Sequence, residues 1–164
     1  MPKGKGKGKG KGKDTTSAFL AFRNIREPQP LPANAFTKVI YPSEQYDFNN
    51  EYDTATGNFI PKKSGIYTLI ASIDFLPDPQ SADLNTLELL IRVNGNSVAL
   101  NFELIRGEGI VTVSAVQQLQ TGDTVDVLAR SFISGNINGI TVGNIPTGGP
   151  DQTRFEGALI RQID

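Results

Sequence analysis

The sequence predicts an all-β sandwich of antiparallel strands, and three observations carry that prediction. Apolar residues recur at every second position over six segments, the period of a half-buried strand and not of a helix. Breaks rich in Gly, Asn, Asp and Pro separate those segments. With 17 Gly and 10 Pro in 164 residues, the chain has the punctuation of a loop-rich β domain. The length fits one domain that can bury a core of its own. No apolar run approaches the roughly 18 residues of a membrane span.

The segments follow in order. Tyr67, Leu69, Ala71, Ile73 and Phe75 share one face of the first long strand, with Thr68, Ser72 and Asp74 opposite. Pro77-Asp78-Pro79 ends it, because proline lacks a ladder donor and holds its predecessor extended. Leu87, Leu89, Ile91 and Val93 alternate with Glu88 and Arg92. Asn94-Gly95 then predicts a tight hairpin, since both residues tolerate positive φ. In the returning strand Val98, Leu100, Phe102 and Leu104 are expected to face inward, with Asn101 and Glu103 outward. Gly107-Glu108-Gly109 turns into Val111, Val113 and Ala115, and Thr121-Gly122-Asp123 turns into Val125, Val127 and Ala129. Phe155, Leu159 and Ile163 close the series. Residues 25–37, with Pro28, Pro30 and Pro32, read as an extended loop. Residues 134–150 read as a long surface loop or a weak edge strand.

Composition narrows the chemistry. There is no Cys, hence no disulfide framework and no thiolate metal site. There is no His, which removes Ser-His-Asp and Cys-His catalysis, imidazole metal ligands and the usual pH switch. The net charge of -1 conceals an asymmetry. Lys3, Lys5, Lys7, Lys9, Lys11 and Lys13 alternate with Gly in a tail over residues 1–14. Without those six, ten basic residues face 17 acids, so the body carries 10 − 17 = −7. The tail has no apolar residue after Met1, so it is expected to be disordered. Its period of two excludes a collagen helix. It reads either as an arm for anionic surfaces, phosphate or nucleic acid, or as a spacer or added segment. The basic start lacks an apolar stretch, so no secretory signal is expected in this chain.

Four stretches, in this order and spacing, resemble one family. They are SAFLAFR (17–23), YDFNNEYDTATGNFIPKKSGIYTLIASI (46–73), LQTGDTVDV (119–127) and RFEGALI (154–160). Together they resemble the globular head domain of the complement subcomponent q, a family related in fold to tumour necrosis factor. Phe19, Phe59, Gly65, Tyr67, Gly122, Asp123, Phe155 and Gly157 carry the motif and core positions. The resemblance implies a jelly roll of two antiparallel sheets over residues 15–164, assembling as a compact homotrimer. It implies a non-enzymatic recognition or assembly head, of the kind often carried on collagen-like stalks and found on bacillus spore coats. The missing Gly-X-Y stalk, Cys and glycosylation sequon favour a bacterial or engineered source, at a cell or spore surface.

A trimer is also expected on physical grounds. Apolar residues on the outward phase of the strands need a partner, and a closed ring buries them without open ends. Phe19, Ile66, Ile70, Leu90, Leu128, Phe132 and Ile160 are the interface candidates. Catalysis is not expected. The carboxylate pairs Asp123 with Asp126 and Glu51 with Asp53 fall on turns and strands where such groups are structural. GNINGITVGN lacks a phosphate-binding Gly-Lys-Ser/Thr. Some heads of the resembled family bind calcium, and Asp74, Asp78, Asp83, Asp123 and Asp126 are the acids to consider. No metal ligand and no cofactor is assigned. Tyr67, Phe59 and Phe155 read as core rather than sugar platforms. Recognition is expected in loops 25–37, 77–86 and 134–150. The alternatives are a lectin-like carbohydrate-binding jelly roll, with or without calcium, and a nucleic-acid binder acting through the tail.

Overall fold

The computed structural model describes residues 16–23, 28–138 and 153–163. The Lys-Gly tail and most of the 134–150 segment lie outside these residues. The described residues form strands and no helix. One sheet runs β2 (Gln29–Leu31), β12 (Gly135–Asn138), β7 (Gly65–Pro77), β13 (Arg154–Gln162), β1 (Ala18–Phe22), β4 (Ser43–Asp47). Its seventh strand, β10 (Gly109–Leu119), takes the other edge of β7 along nearly its whole length. The second sheet runs β5 (Tyr52–Asp53), β6 (Asn58–Phe59), β11 (Val125–Ser131), β8 (Leu84–Val93), β9 (Asn96–Arg106), with β3 (Thr37–Lys38) also on β11. The paired strands are all antiparallel. The architecture is a two-sheet jelly-roll sandwich.

The core lies between the sheets, where alternation puts it. Tyr67, Leu69, Ala71, Ile73 and Phe75 of β7 are wholly buried. Facing them are Leu87, Leu89 and Ile91 of β8 and Val125, Val127 and Ala129 of β11, all equally buried. At the centre Phe19 stacks on Tyr52 (centroids 5.3 Å) and on Phe59 (4.5 Å), and meets Phe155 edge-on at 5.0 Å. Gly157 lies opposite Phe19 in the β1–β13 register. A Cβ there would come within 2.7 Å of the Phe19 ring, so the ring's position requires glycine.

Three expectations need correction. First, Phe19 has 0% exposure and belongs to the core, so it contributes to no interface. Second, the apolar face of β9 points outward: Leu100, Phe102 and Leu104 are 56%, 59% and 62% exposed. The cause is a one-residue slip. Val93 pairs with Asn96 and Arg92 with Ser97, as the Asn94-Gly95 turn dictates, with φ of 52° and 80° at the two turn residues. Between Arg92 and Ile91 the register shifts, so Ile91 meets Ala99 and Leu89 meets Asn101. A bulge of one residue flips every later side chain to the other face. Asn101 consequently turns inward, where its Nδ2 donates to the Thr112 carbonyl of β10 at 2.8 Å. Third, segment 25–37 is not all loop, because β2 and the start of β3 lie in it; Gly135–Asn138 of segment 134–150 forms a strand, as one of its two readings had it, but β12 lies between β2 and β7 and not at an edge.

Candidate interaction surfaces

The outward face of the seven-stranded sheet is built from the alternate residues of its central strands. On β7 these are Ile66, Thr68 and Ile70, all half-buried. The register sets Ser114 and Val116 of β10 beside Ile70 and Thr68 on one side. Glu156 and Ala158 of β13 flank the same two residues on the other side. Leu20 and then Tyr46 extend the row across β1 and β4. Tyr46, Thr68, Ile70, Glu156, Gly157 and Ala158 line a shallow cavity of 220 Å³. Around it Val116 is 68% and Ile160 60% exposed, and Tyr46 stacks on Phe48 at 5.2 Å. Ile160 stands out because it occupies the bulge between Leu159 and Arg161. Arg154 and Glu156 form a loose ion pair at 3.5 Å.

The outward face of the six-stranded sheet is organised differently. Arg130 of β11 grips Glu88 of β8 with two bonds of 2.8 and 2.9 Å. Its guanidinium lies 4.4 Å from the Phe36 ring centroid and 5.2 Å from that of Phe132. Two rows further, Arg92 holds Asp126 bidentately at 2.9 and 2.7 Å, and Lys38 approaches the same carboxylate at 3.5 Å. The Asp126 bonds raise the Arg92 pKa above its already high ordinary value. Leu128, Leu90 and Leu100 form an apolar row between the pairs.

Three connections meet at one end of the sandwich. The Asp78 N–H donates to the Ser134 carbonyl at 3.1 Å, and the Ser134 hydroxyl donates to the Asp78 carbonyl at 2.9 Å. Leu76, Pro77, Gln80, Ser81, Ala82, Gly107 and Glu108 line a groove of 440 Å³ there, between the β7–β8 connection and the β9–β10 turn. At the opposite end the Ile163 N–H donates to the Ser64 carbonyl at 3.2 Å.

The acids have structural duties. Glu51 is buried and accepts from the Ser17 hydroxyl and from the Lys62 N–H, the latter at 2.7 Å. Asp53 accepts from the Thr56 hydroxyl at 2.7 Å and the Ala55 N–H at 2.9 Å, and these bonds hold its carboxyl below the ordinary value. Burial first, then Asp47 and Asp53, raise Glu44. Asp123 accepts from the Gln120 N–H at 2.7 Å and so closes its own turn, at whose tip Gly122 takes φ of 88°. Each carboxylate of the two pairs thus has partners within the fold. Of the acids weighed for calcium, Asp126 is ion-paired, Asp74 is buried in β7, and Asp78 and Asp83 sit in the β7–β8 connection. Among the described residues no three acidic, His or Cys side chains converge as a metal site would require.

The interface candidates do not form one surface. Ile66, Ile70 and Ile160 lie on the seven-stranded sheet, and Leu90, Leu128 and Phe132 on the six-stranded sheet, facing away from each other. Alternation identifies outward residues but does not say which sheet a strand joins. Tyr46, Phe48, Phe36 and Leu84 complete the two faces and were not singled out by it, since they lie in short strands, strand ends and connections. Tyr67, Phe59 and Phe155 are fully buried. No described helix is long and apolar enough to cross a membrane.

The arrangement is a two-sheet jelly roll with two unlike outward faces and loops gathered at one end. The family model for the C1q domain matches residues 18–159, and the chain belongs to that family. Among solved structures the fold is similar to the globular domain of zebrafish complement 1qA protein, with TM-score 0.59 and 20% identity over 90% of this chain and 99% of that one. It is also similar to murine APRIL, with TM-score 0.59 and 12% identity over 89% of this chain and 100% of that one. Eiger TNF from S. frugiperda gives TM-score 0.57 and 16% identity over 91% of this chain and 93% of that one. No curated protein matches the sequence.

Proposed function

We propose that this chain is a non-enzymatic recognition and assembly head that works as a homotrimer. Family membership supports the reading, because domains of the complement q and tumour necrosis factor class are trimeric recognition modules. The observation that carries it is the outward face of the seven-stranded sheet, where Ile66, Ile70 and Ile160 join Tyr46, Phe48 and Val116 around a shallow cavity. An apolar face of this kind is stabilised by a neighbouring copy, and three copies close the contact into a ring. Three end grooves then act together, so weak single contacts sum into avidity. The same family typically works outside the cell, and a cell or spore surface is the setting we assign.

The Lys-Gly tail adds a second element. A ring of three brings together 3 × 6 = 18 lysines. Such a polycation docks on anionic surfaces in a salt-sensitive way.

The test is solution mass by light scattering on full-length protein and on protein lacking residues 2–13. The expected mass is near three times 17.7 kDa in both. A monomer in both overturns the trimeric head. Binding to anionic vesicles is expected for the full chain alone, and unchanged binding after truncation removes the role given to the tail.

A further inference from the structure

We propose that the end groove, between the β7–β8 connection and the β9–β10 turn, receives the Lys-Gly segment (residues 2–13) of another copy of this chain, so that heads link end to end. This names the partner of the end groove in the proposed recognition head, and the number of contacts rests on that reading.

The groove is shaped by the fold and carries one sign of charge. Leu76, Pro77 and Ala82 give its 440 Å³ an apolar lining, and Gln80, Ser81 and Glu108 a polar one. Arg106, beside the turn, donates to the Ala82 carbonyl at 3.4 Å and ties one wall to the other. The Asp83 N–H donates to the Ser81 hydroxyl at 3.1 Å and fixes the connection. Glu108 is exposed at the groove, and Asp78 and Asp83 are exposed on either side of the lining residues of the connection. Asp78 accepts from the Asn136 amide at 3.4 Å. Among the described residues none of these three acids is ion-paired, whereas Glu88, Asp126 and Glu156 are. Against three carboxylates the described rim sets one cation, Arg106, for a balance of 1 − 3 = −2.

Charge and spacing select the occupant. No three acids converge among the described residues, so these carboxylates are spread for a polycation and not gathered around one metal ion. Another copy's body carries −7 and is repelled. Residues 2–13 hold six lysines and no acid. In an extended segment alternate residues point to opposite sides, so the lysines share one face, about 7 Å apart, and the glycines leave the other bare. The lysine face meets the carboxylates, and the bare side adds no bulk at the groove walls.

Reach decides whose segment docks. The Thr16 carbonyl accepts from the Asn49 amide at 2.8 Å, and the Ser17 carbonyl from the Leu159 N–H at 2.8 Å. Leu159 pairs with Tyr67, so the segment departs from the level of Tyr67. From there β7 climbs ten residues to Pro77, about 33 Å. By composition, a Gly-rich segment of this length has a root-mean-square span of about 20 Å. Its own groove lies beyond that span, and a head stacked on this end brings another groove within it. The contact joins unlike ends, so it is heterologous and grows without closing. In the proposed trimer three segments meet three grooves, and three weak contacts act as one.

Sedimentation velocity on the full chain, from about 1 µM to about 200 µM in about 20 mM and about 0.5 M NaCl, tests this. One variant lacks residues 2–13, a second carries Asp83→Asn with Glu108→Gln, and a third carries Glu108→Lys. The substitutions are at exposed sites and should leave the melting curve unchanged. Wild type is expected to grow in steps of one head as concentration rises at low salt, and to stay a single head at high salt. Each variant alone should need at least a tenfold higher concentration for growth. A mixture of the truncated chain with a groove variant should form a two-head species, since one keeps the groove and the other the segment. Steps of three chains support both the docking and the trimer; steps of one chain support the docking and break the trimeric reading. Wild type fixed at three chains at low salt overturns the docking and leaves the trimer standing, and a segment folded into its own groove gives this result. Growth that persists without residues 2–13 overturns the docking. Growth that persists in both groove variants places the segment on another surface and overturns it too. A groove variant that falls from three chains to one also overturns it, because the groove then belongs to the ring contact.

Discussion

On the seven-stranded sheet the outward residues of β7 are half-buried, and small or polar neighbours such as Ser114, Thr68 and Ala158 surround them. On the six-stranded sheet the outward residues are paired ions in the middle and exposed Leu and Phe toward β9 and the strand ends. Both faces come from strands with the same period of two. What separates them is register. β7 and β10 pair without a break over 11 residue pairs, so the alternation of each strand predicts the face of the other. β8 and β9 slip once, and the slip turns an apolar row to solvent. Alternation gives the amplitude of a strand pattern, and bulges decide its sign.

The largest expected effect separates both faces from the core beneath them. Phe19→Ala removes the ring at the centre of the aromatic cluster and should cost about 3–5 kcal/mol in urea unfolding. Phe102→Ala removes the same side chain from the exposed face and should cost under about 1 kcal/mol. Equal losses would break the distinction between core and face. Next comes assembly. Val116→Arg with Ile160→Arg places cations on the seven-stranded face and should reduce the light-scattering mass from three chains to one. The same cation at Phe132, beside the six-stranded sheet, should leave three chains intact.

The ion pairs sharpen the comparison at smaller scale. Arg130→Ala strips Glu88 of a bidentate partner and parts two aromatic contacts, for an expected loss of about 1–2 kcal/mol after allowance for its partial exposure. Arg154→Ala on the other face loosens one contact of 3.5 Å and should change stability by less than about 0.5 kcal/mol. Thermal melts of the two variants, side by side, measure the difference. Smallest are the edge acids, one on each sheet. Asp53 of β5 is held below its ordinary 3.8, chiefly by the Thr56 hydroxyl. The stability it adds is complete above the unfolded value and disappears as pH falls through the lowered one. Glu44 of β4 is raised above 4.5, first by burial. Its charged form costs stability at neutral pH, and the cost is relieved as pH falls through the raised value. In acid titrations of stability below about pH 5, Asp53→Asn should flatten the loss and Glu44→Gln should steepen it.

Much of this fold was legible in the residues. The alternation over 67–75, 87–93, 111–115 and 125–129 marks strands that the structure contains, and Asn94-Gly95 marks the hairpin. Short strands such as β2, β3, β5 and β6 were not legible, because two or three residues carry no period and form only through partners distant in sequence. The two faces were half legible. Ile70, Ile160, Leu128 and Phe132 show their outward phase locally. Their division between sheets depends on long-range topology, and the orientation of Phe102 depends on one inserted residue in the pairing.

In the proposed trimeric head the seven-stranded face is covered, while the middle of the six-stranded face stays open. The chain has no Cys, so single cysteines report cleanly. Val116→Cys, Ile160→Cys and Phe132→Cys would be labelled with a maleimide on the assembled protein. Labelling at 116 and 160 is expected to be at least tenfold slower than at 132. Equal rates at all three would contradict it.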